Sequence, residues 1–312
     1  VLISEIFAVS AAVCSALSSM LISELNGRVA VLRLARWQLT ASFLFTSAAA
    51  TVLDGWRTLG WWQIEMLVAS GFAGIVIAST TYLAAIYAAG PRVTALLFSL
   101  ASPFALLFGY LIYGETISLL QACGVSLIII GIVVAIGVRR REPPPLIPLA
   151  DGPQKPAPAG LLQSVSTMGI VLGVITALGQ ASGSLLARPA MISGVEPFAG
   201  MAVRCGFAAI CYWSMLAVPF LRRRSMASKG ETFRRQDFGI AIAAAFFGTS
   251  LGTSLLLAAL QTGSVGIVST LSSMTPIVIL PMVWIRSGQM PRAYAWGGAL
   301  LAIIGTTMLS LN

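Results

Sequence analysis

The sequence predicts an all-α integral membrane protein of ten transmembrane helices in two inverted five-helix repeats. Composition is the first reason. Of 312 residues, 57% are hydrophobic and only 9% charged, whereas soluble domains carry about 25% charged residues. The second is run length: the apolar stretches are about 20 residues long without period-two alternation, which suits helices that cross a bilayer and not barrel strands. The third is a phrase said twice, "SLASPF" at 99–104 and "SSMTPI" at 272–277.

In chain order the spans are expected at about 3–23, 34–53, 63–88, 92–113, 118–138, 164–187, 197–220, 238–260, 264–285 and 292–311. The first run leads into a second span and carries no cleavage-site pattern, so it reads as structure and not as a signal peptide. Short polar or Gly/Pro breaks punctuate the spans: "LNGR" at 25–28, "LDGWRTLG" at 53–60, "AAGPR" at 88–92 and "YGET" at 113–116. The long break, "RRREPPPLIPLADGPQKPAPAGLLQ" at 139–163, holds seven of the fifteen prolines and reads as an extended linker. It divides the chain into a first repeat, 1–138, and a second, 164–312, expected to work together as one unit.

The halves match at a fixed offset. Gly90 and Gly263, Ser99 and Ser272, Ser102 and Thr275, Pro103 and Pro276, and Gly124 and Gly297 are each 173 residues apart. Ser18 and Ser182, and Arg36 and Arg204, pair at slightly smaller offsets. With an odd number of spans per repeat, the second repeat must lie upside down relative to the first. Such inverted repeats are a common transporter architecture, with the substrate site near the midplane between them. Pro103 and Pro276 remove the amide bonds to the carbonyls of Ser99 and Ser272, and in lipid a freed carbonyl needs another partner. Each proline is expected to kink its helix and serve as a gating point, beside the plainer reading of a structural kink.

At this point the residues resemble a known family. "GETISLLQACGVSLIIIGIVV" at 114–134 looks like the helix 4–5 signature of EamA-type carriers of the drug/metabolite transporter superfamily, preceded by "YAAGPRVTALLFSLASPF" at 87–104. "ALQTGSVGIVSTLSSMTPI" at 259–277 and "GGALLAIIGTTML" at 297–309 repeat the pattern. The resemblance covers nearly the whole chain and implies a carrier exporting amino acids or other small metabolites. The chain departs from symmetry at one position: Glu115 has Gly288 as its counterpart.

Several chemistries are excluded. "GTSLG" at 248–252 matches a nucleophile-elbow pattern, but the chain has no histidine to act as base and the match lies in an apolar helical run. Gly248 and Gly252 read instead as a small-residue packing face. The four cysteines lie in apolar runs without CxxC spacing, so they read as core residues. No catalytic residue, metal site or cofactor is expected. The ten acids all fall near span ends or in loops. A proton-coupled exporter of cationic drugs usually needs a buried carboxylate, so a neutral or zwitterionic substrate fits better. The rivals are a multidrug exporter and a carrier of phosphorylated or nucleotide-linked metabolites; the latter should need several basic residues in its cavity.

The expected cavity lining is Ser18, Gln38, Tyr82, Ser99, Gln180 and Ser272. A buried amide is costly unless paired, which singles out Gln38 and Gln180 among the polar residues of the spans. Arg36 and Arg204 occupy matching places early in spans 2 and 7. They are possible contacts for a substrate anion, held bidentately, although snorkelling to headgroups is the commoner behaviour of such residues. The net charge of +9 is a matter of membrane orientation and not of nucleic acid. Fifteen of the nineteen basic residues follow odd-numbered spans, against Arg57 and Arg188 after even-numbered ones. This distribution puts both termini outside, whereas the family resemblance implies cytoplasmic termini. The expected partners are a small-molecule substrate and the lipid bilayer of a bacterial inner membrane, with no nucleic acid and a monomeric unit.

Overall fold

The computed structural model describes residues 2–26, 28–113, 118–137, 166–215, 235–262, 275–287 and 293–310. Among these the chain is helical throughout, with no strand. The first half comprises α1 (Leu2–Glu24), α2 (Val31–Val52), α3 (Trp61–Ala89), the pair α4 (Pro91–Phe98) and α5 (Ala101–Tyr113), and α6 (Leu119–Gly137). The second comprises α7 (Thr167–Ile192), α8 (Pro197–Ser214), α9 (Arg235–Thr262, in three consecutive segments), α10 (Thr275–Ser287) and α11 (Ala293–Ser310). A helix overlaps each of the ten expected ranges. Five stretches among the described residues are long and apolar enough to cross a membrane: Ile6–Glu24, Trp61–Ala89, Pro91–Phe108, Thr167–Ile192 and Arg235–Gln261. The proline-rich segment expected as a linker, Glu115 and Ser272 lie outside the described residues.

Helix ends follow from local chemistry. Gly90 closes α3 with a left-handed φ of 82°, which a residue with a Cβ rarely adopts. Pro91 follows at the first position of α4, where its missing amide proton costs nothing. Ser118 and Gln121 form a reciprocal capping box before α6: the Ser118 amide donates to Gln121 Oε1 at 2.9 Å and the Gln121 amide to Ser118 Oγ at 3.3 Å. Glu196 caps α8, accepting from the amides of Phe198 and Ala199 at 3.0 and 2.7 Å.

The halves interleave. α1 packs against α9 and, reciprocally, α7 packs against α3; α2 lies on α8, and α6 lies on α11. Small residues permit these approaches. A Cβ on Gly131 of α6 would stand 2.6 Å from the Gly298 carbonyl oxygen of α11, and one on Gly305 of α11 would stand 2.5 Å from that of Gly124. The largest apolar core gathers buried residues of α1, α2, α3, α7, α8 and α9, including Leu34, Leu67, Met191, Met201 and Leu257. The outside is apolar as well: Val133, Ile210 and Ile285 are among many large hydrophobic side chains left exposed, as lipid-facing positions require.

Two backbone interruptions have no counterpart in the sequence reading. Within α3 the segment Phe72–Ile77 is a π-helix, and within α9 so is Ala245–Gly252. They begin at Phe72 and Ala245, which are 173 positions apart, the same offset that relates the repeated phrases. A π turn inserts one residue into the helical ladder and frequently marks a functional site.

Candidate functional site

The helix break at Ser99 and Leu100 separates α4 from α5, and Pro103 explains it. Proline has no amide proton to give the Ser99 carbonyl. That carbonyl instead accepts from the Ser102 amide at 3.3 Å, one residue short of the α-helical spacing. The turn before it is tightened in the same way, by the Ser99 amide to the Leu96 carbonyl and the Leu100 amide to the Leu97 carbonyl, each at 3.1 Å. Ser99 is 1% exposed, and its hydroxyl has no hydrogen-bond partner. In the second half, Pro276 falls in the first turn of α10, and Pro281 lies inside that helix.

Tyr82 of α3 joins the α4 end of this break to α1. Its hydroxyl meets Ser19 Oγ at 2.5 Å, and its ring packs edge-on against Phe98 at 5.9 Å between centroids. Ser18, one residue earlier on α1, turns the other way and donates to the Ala244 carbonyl of α9 at 2.8 Å. Gln38 of α2 is 5% exposed, and its Nε2 has no partner. Four residues further, Ser42 donates to the Ala245 carbonyl of α9 at 3.3 Å. Gln180 is half-buried on α7. Two serines not singled out beforehand, Ser250 and Ser254 of α9, are also buried with unpartnered hydroxyls. Their spacing of four residues puts them on one helix face, a pattern that was legible in the sequence.

The carbonyls around both π segments are bonded by hydroxyls. Val76 in α3 accepts from Thr80 Oγ1 at 2.5 Å and from the Tyr212 hydroxyl of α8 at 3.2 Å. At α9, Ser18 and Ser42 bond the carbonyls of Ala244 and Ala245, where the π segment begins. The supporting helices are thus α8 for the first half's segment, and α1 and α2 for the second's. This satisfies backbone that would be costly to leave bare in an apolar surrounding.

The two arginines behave differently. Arg36 is half-buried on α2. Arg204 is 2% exposed at the crossing of α3, α7 and α8, so it lies inside the protein and does not snorkel. Its backbone lies against Gly71, where a Cβ would stand 3.1 Å from the Arg204 Cα, and its guanidinium lies over Gly74, where a Cβ would stand 2.7 Å from Nη2. Nε has no hydrogen-bond partner.

Acidic groups stay at helix ends. Glu24, at the end of α1, pairs with Arg286 of α10. Asp237, buried in the first turn of α9, pairs with Arg28 at 3.4 Å. Both pairs join the first half to the second. Asp54 pairs with Arg57 within its own loop at 3.0 Å. Among the described residues no group of three His, Cys, Asp or Glu side chains could hold a metal.

A long apolar helical chain, interleaved halves and five stretches able to cross a membrane mark a polytopic membrane protein. The EamA-like transporter family matches it twice, over residues 2–137 and 167–311, and the chain belongs to that family. It is therefore a membrane transporter of the drug/metabolite transporter superfamily. A crystal structure of another protein superposes with a TM-score of 0.66 at 15% identity, over 99% of this chain and 96% of that one, a likeness of fold. No curated protein matches the sequence.

Proposed function

We propose that the chain exports a small metabolite, an amino acid, across a bacterial inner membrane by alternating access at a midplane cavity between two inverted repeats. The observation that carries this reading is a set of orphaned polar atoms. Gln38 Nε2 on α2, Ser99 Oγ at the α4–α5 break, and Ser250 Oγ and Ser254 Oγ on α9 are buried and unpartnered. Buried polar groups ordinarily find partners, so several unmet ones in one membrane protein suit a space that water or a polar solute fills. Reciprocal packing of α1 on α9 and α7 on α3 supports the repeat arrangement, since a twofold relation exchanges partners in this way. The proline break at Ser99 and the π segments supply places where a helix can bend as one half moves against the other. Substrate contacts are assigned to Ser18, Gln38, Tyr82, Ser99, Gln180 and Ser272, and gating to Pro103 and Pro276.

Counterflow of labelled amino acids in proteoliposomes, with and without a pH gradient, tests the reading. Saturable counterflow that ignores the gradient is expected. An absence of amino-acid flux sinks the substrate assignment, and flux only under a proton gradient sinks the uncoupled mechanism.

A further inference from the structure

Arg204 poses an electrostatic problem. A guanidinium keeps its charge at any physiological pH, and placing an ion in a membrane protein's interior is expensive unless something compensates it. Of the acids whose side chains are described, Glu24 pairs with Arg286, Asp237 with Arg28 and Asp54 with Arg57, Glu196 caps a helix and Glu65 is exposed. Among the described residues no carboxylate pairs with Arg204, and Nε is left without an acceptor. Glycine backbone lies against it. Gly71 and Gly74 face it from α3, and Gly183 of α7 lies next to Gly74, where a Cβ on Gly74 would stand 3.2 Å from the Gly183 Cα. Ser70 of α3 donates to the Gly183 carbonyl at 2.6 Å, and the α3 backbone there runs into the π segment Phe72–Ile77.

We propose that Arg204 is the anchor for the carboxylate of the transported solute, bound where α3, α7 and α8 cross. This rests on the export reading above and narrows its substrate class to monocarboxylates, zwitterionic amino acids included. The counter-charge that the described residues do not provide arrives with the solute. A guanidinium suits a carboxylate because its planar fork can donate two parallel bonds. One such group matches a single negative charge; a phosphate ester would call for several. α3 and α7 touch here through glycine backbone, and the π segment is a place where α3 can bend.

The purified protein in detergent is titrated with leucine, with isovalerate, which keeps the carboxylate and lacks the ammonium, and with leucinamide, which lacks the carboxylate. Thermal midpoint is read, and the same compounds compete in leucine counterflow. Leucine and isovalerate are expected to stabilise and leucinamide not. Arg204→Gln should raise the half-maximal carboxylate concentration at least tenfold, and Arg204→Lys, which keeps charge but not the fork, should raise it less. An amide that acts as well as the acid, an Arg204→Gln protein that responds like the wild type, or no response to either carboxylate overturns the proposal. Should Arg204→Gln fail to fold, Arg204→Lys and the acid-against-amide contrast in the wild type decide it. Carboxylate stabilisation that depends on Arg204, without leucine transport, removes the amino-acid export reading and leaves the anchor. Leucine transport with an unchanged KM in Arg204→Gln removes the anchor and leaves the export reading.

Discussion

The π segments of α3 and α9 start 173 positions apart, yet each meets a different surface. At the first, α7 crosses with glycine: a Cβ added to Gly183 would stand 2.6 Å from the Gly74 Cα and 2.9 Å from its nitrogen. At the second, α1 crosses with a serine, and a Cβ on Gly248 would run into the Ser18 side chain. One crossing is backbone on backbone with a guanidinium beside it; the other is backbone on a small movable hydroxyl. Duplicated backbone geometry has thus been kept while its chemistry diverged. The tighter glycine crossing is the one beside Arg204, which has no carboxylate partner among the described residues.

The largest effect should come from the tighter crossing. Gly183→Val drives a branched side chain into α3 backbone, which cannot rotate away, and should cost about 3 kcal/mol, read as a lower thermal midpoint in detergent. A substitution tolerated without loss would mean that α3 and α7 separate freely. Gly248→Ala should cost about 1 kcal/mol, and combining it with Ser18→Gly should restore most of that. No such rescue partner exists for Gly183, because the atoms it meets are main chain. If both glycines prove equally sensitive and equally hard to rescue, the contrast between the crossings is lost.

Smaller effects sharpen the picture. Tyr82→Phe removes the bond to Ser19 and should cost about 1 kcal/mol, with the Ser19→Ala double mutant adding little. Gln38→Leu removes an unpartnered buried amide, so it should leave the thermal midpoint unchanged or raised. Leucine counterflow should nevertheless fall several-fold if the amide lines the cavity; unchanged flux would take Gln38 out of the path. Least affected should be Glu24→Gln at the ion pair with Arg286, whose two side chains are 20% and 55% exposed. Its stability change should stay below about 1 kcal/mol, checked by chemical or thermal denaturation in detergent.

Much of the fold was legible in the chain because lipid enforces simple rules. A run of about 20 apolar residues must be helical when no water is available for its backbone. Pro103 had to disturb its helix, and it does so at Ser99, the carbonyl it deprives. The π segments were not legible, since "GFAGIVI" and "AFFGTSLG" satisfy an ordinary helical period and hold no proline to mark a break. For the site, sequence named Gln38, Tyr82 and Ser99 as polar residues in spans, and all three lie on helices that meet in the interior. It could not tell that Tyr82 is bonded to Ser19 while Gln38 is left with an unmet amide.

Arg204 marks the boundary between the two kinds of knowledge. Composition, span lengths, proline positions and the 173-residue offset determine the class and the duplicated plan, because they depend on local hydropathy and on backbone chemistry within one helix. Whether an arginine near a span start reaches headgroups or stays inside depends on which helices surround it. That was decided by the packing of α3 and α7 against α8, where Gly71 and Gly74 leave room for the Arg204 backbone and guanidinium.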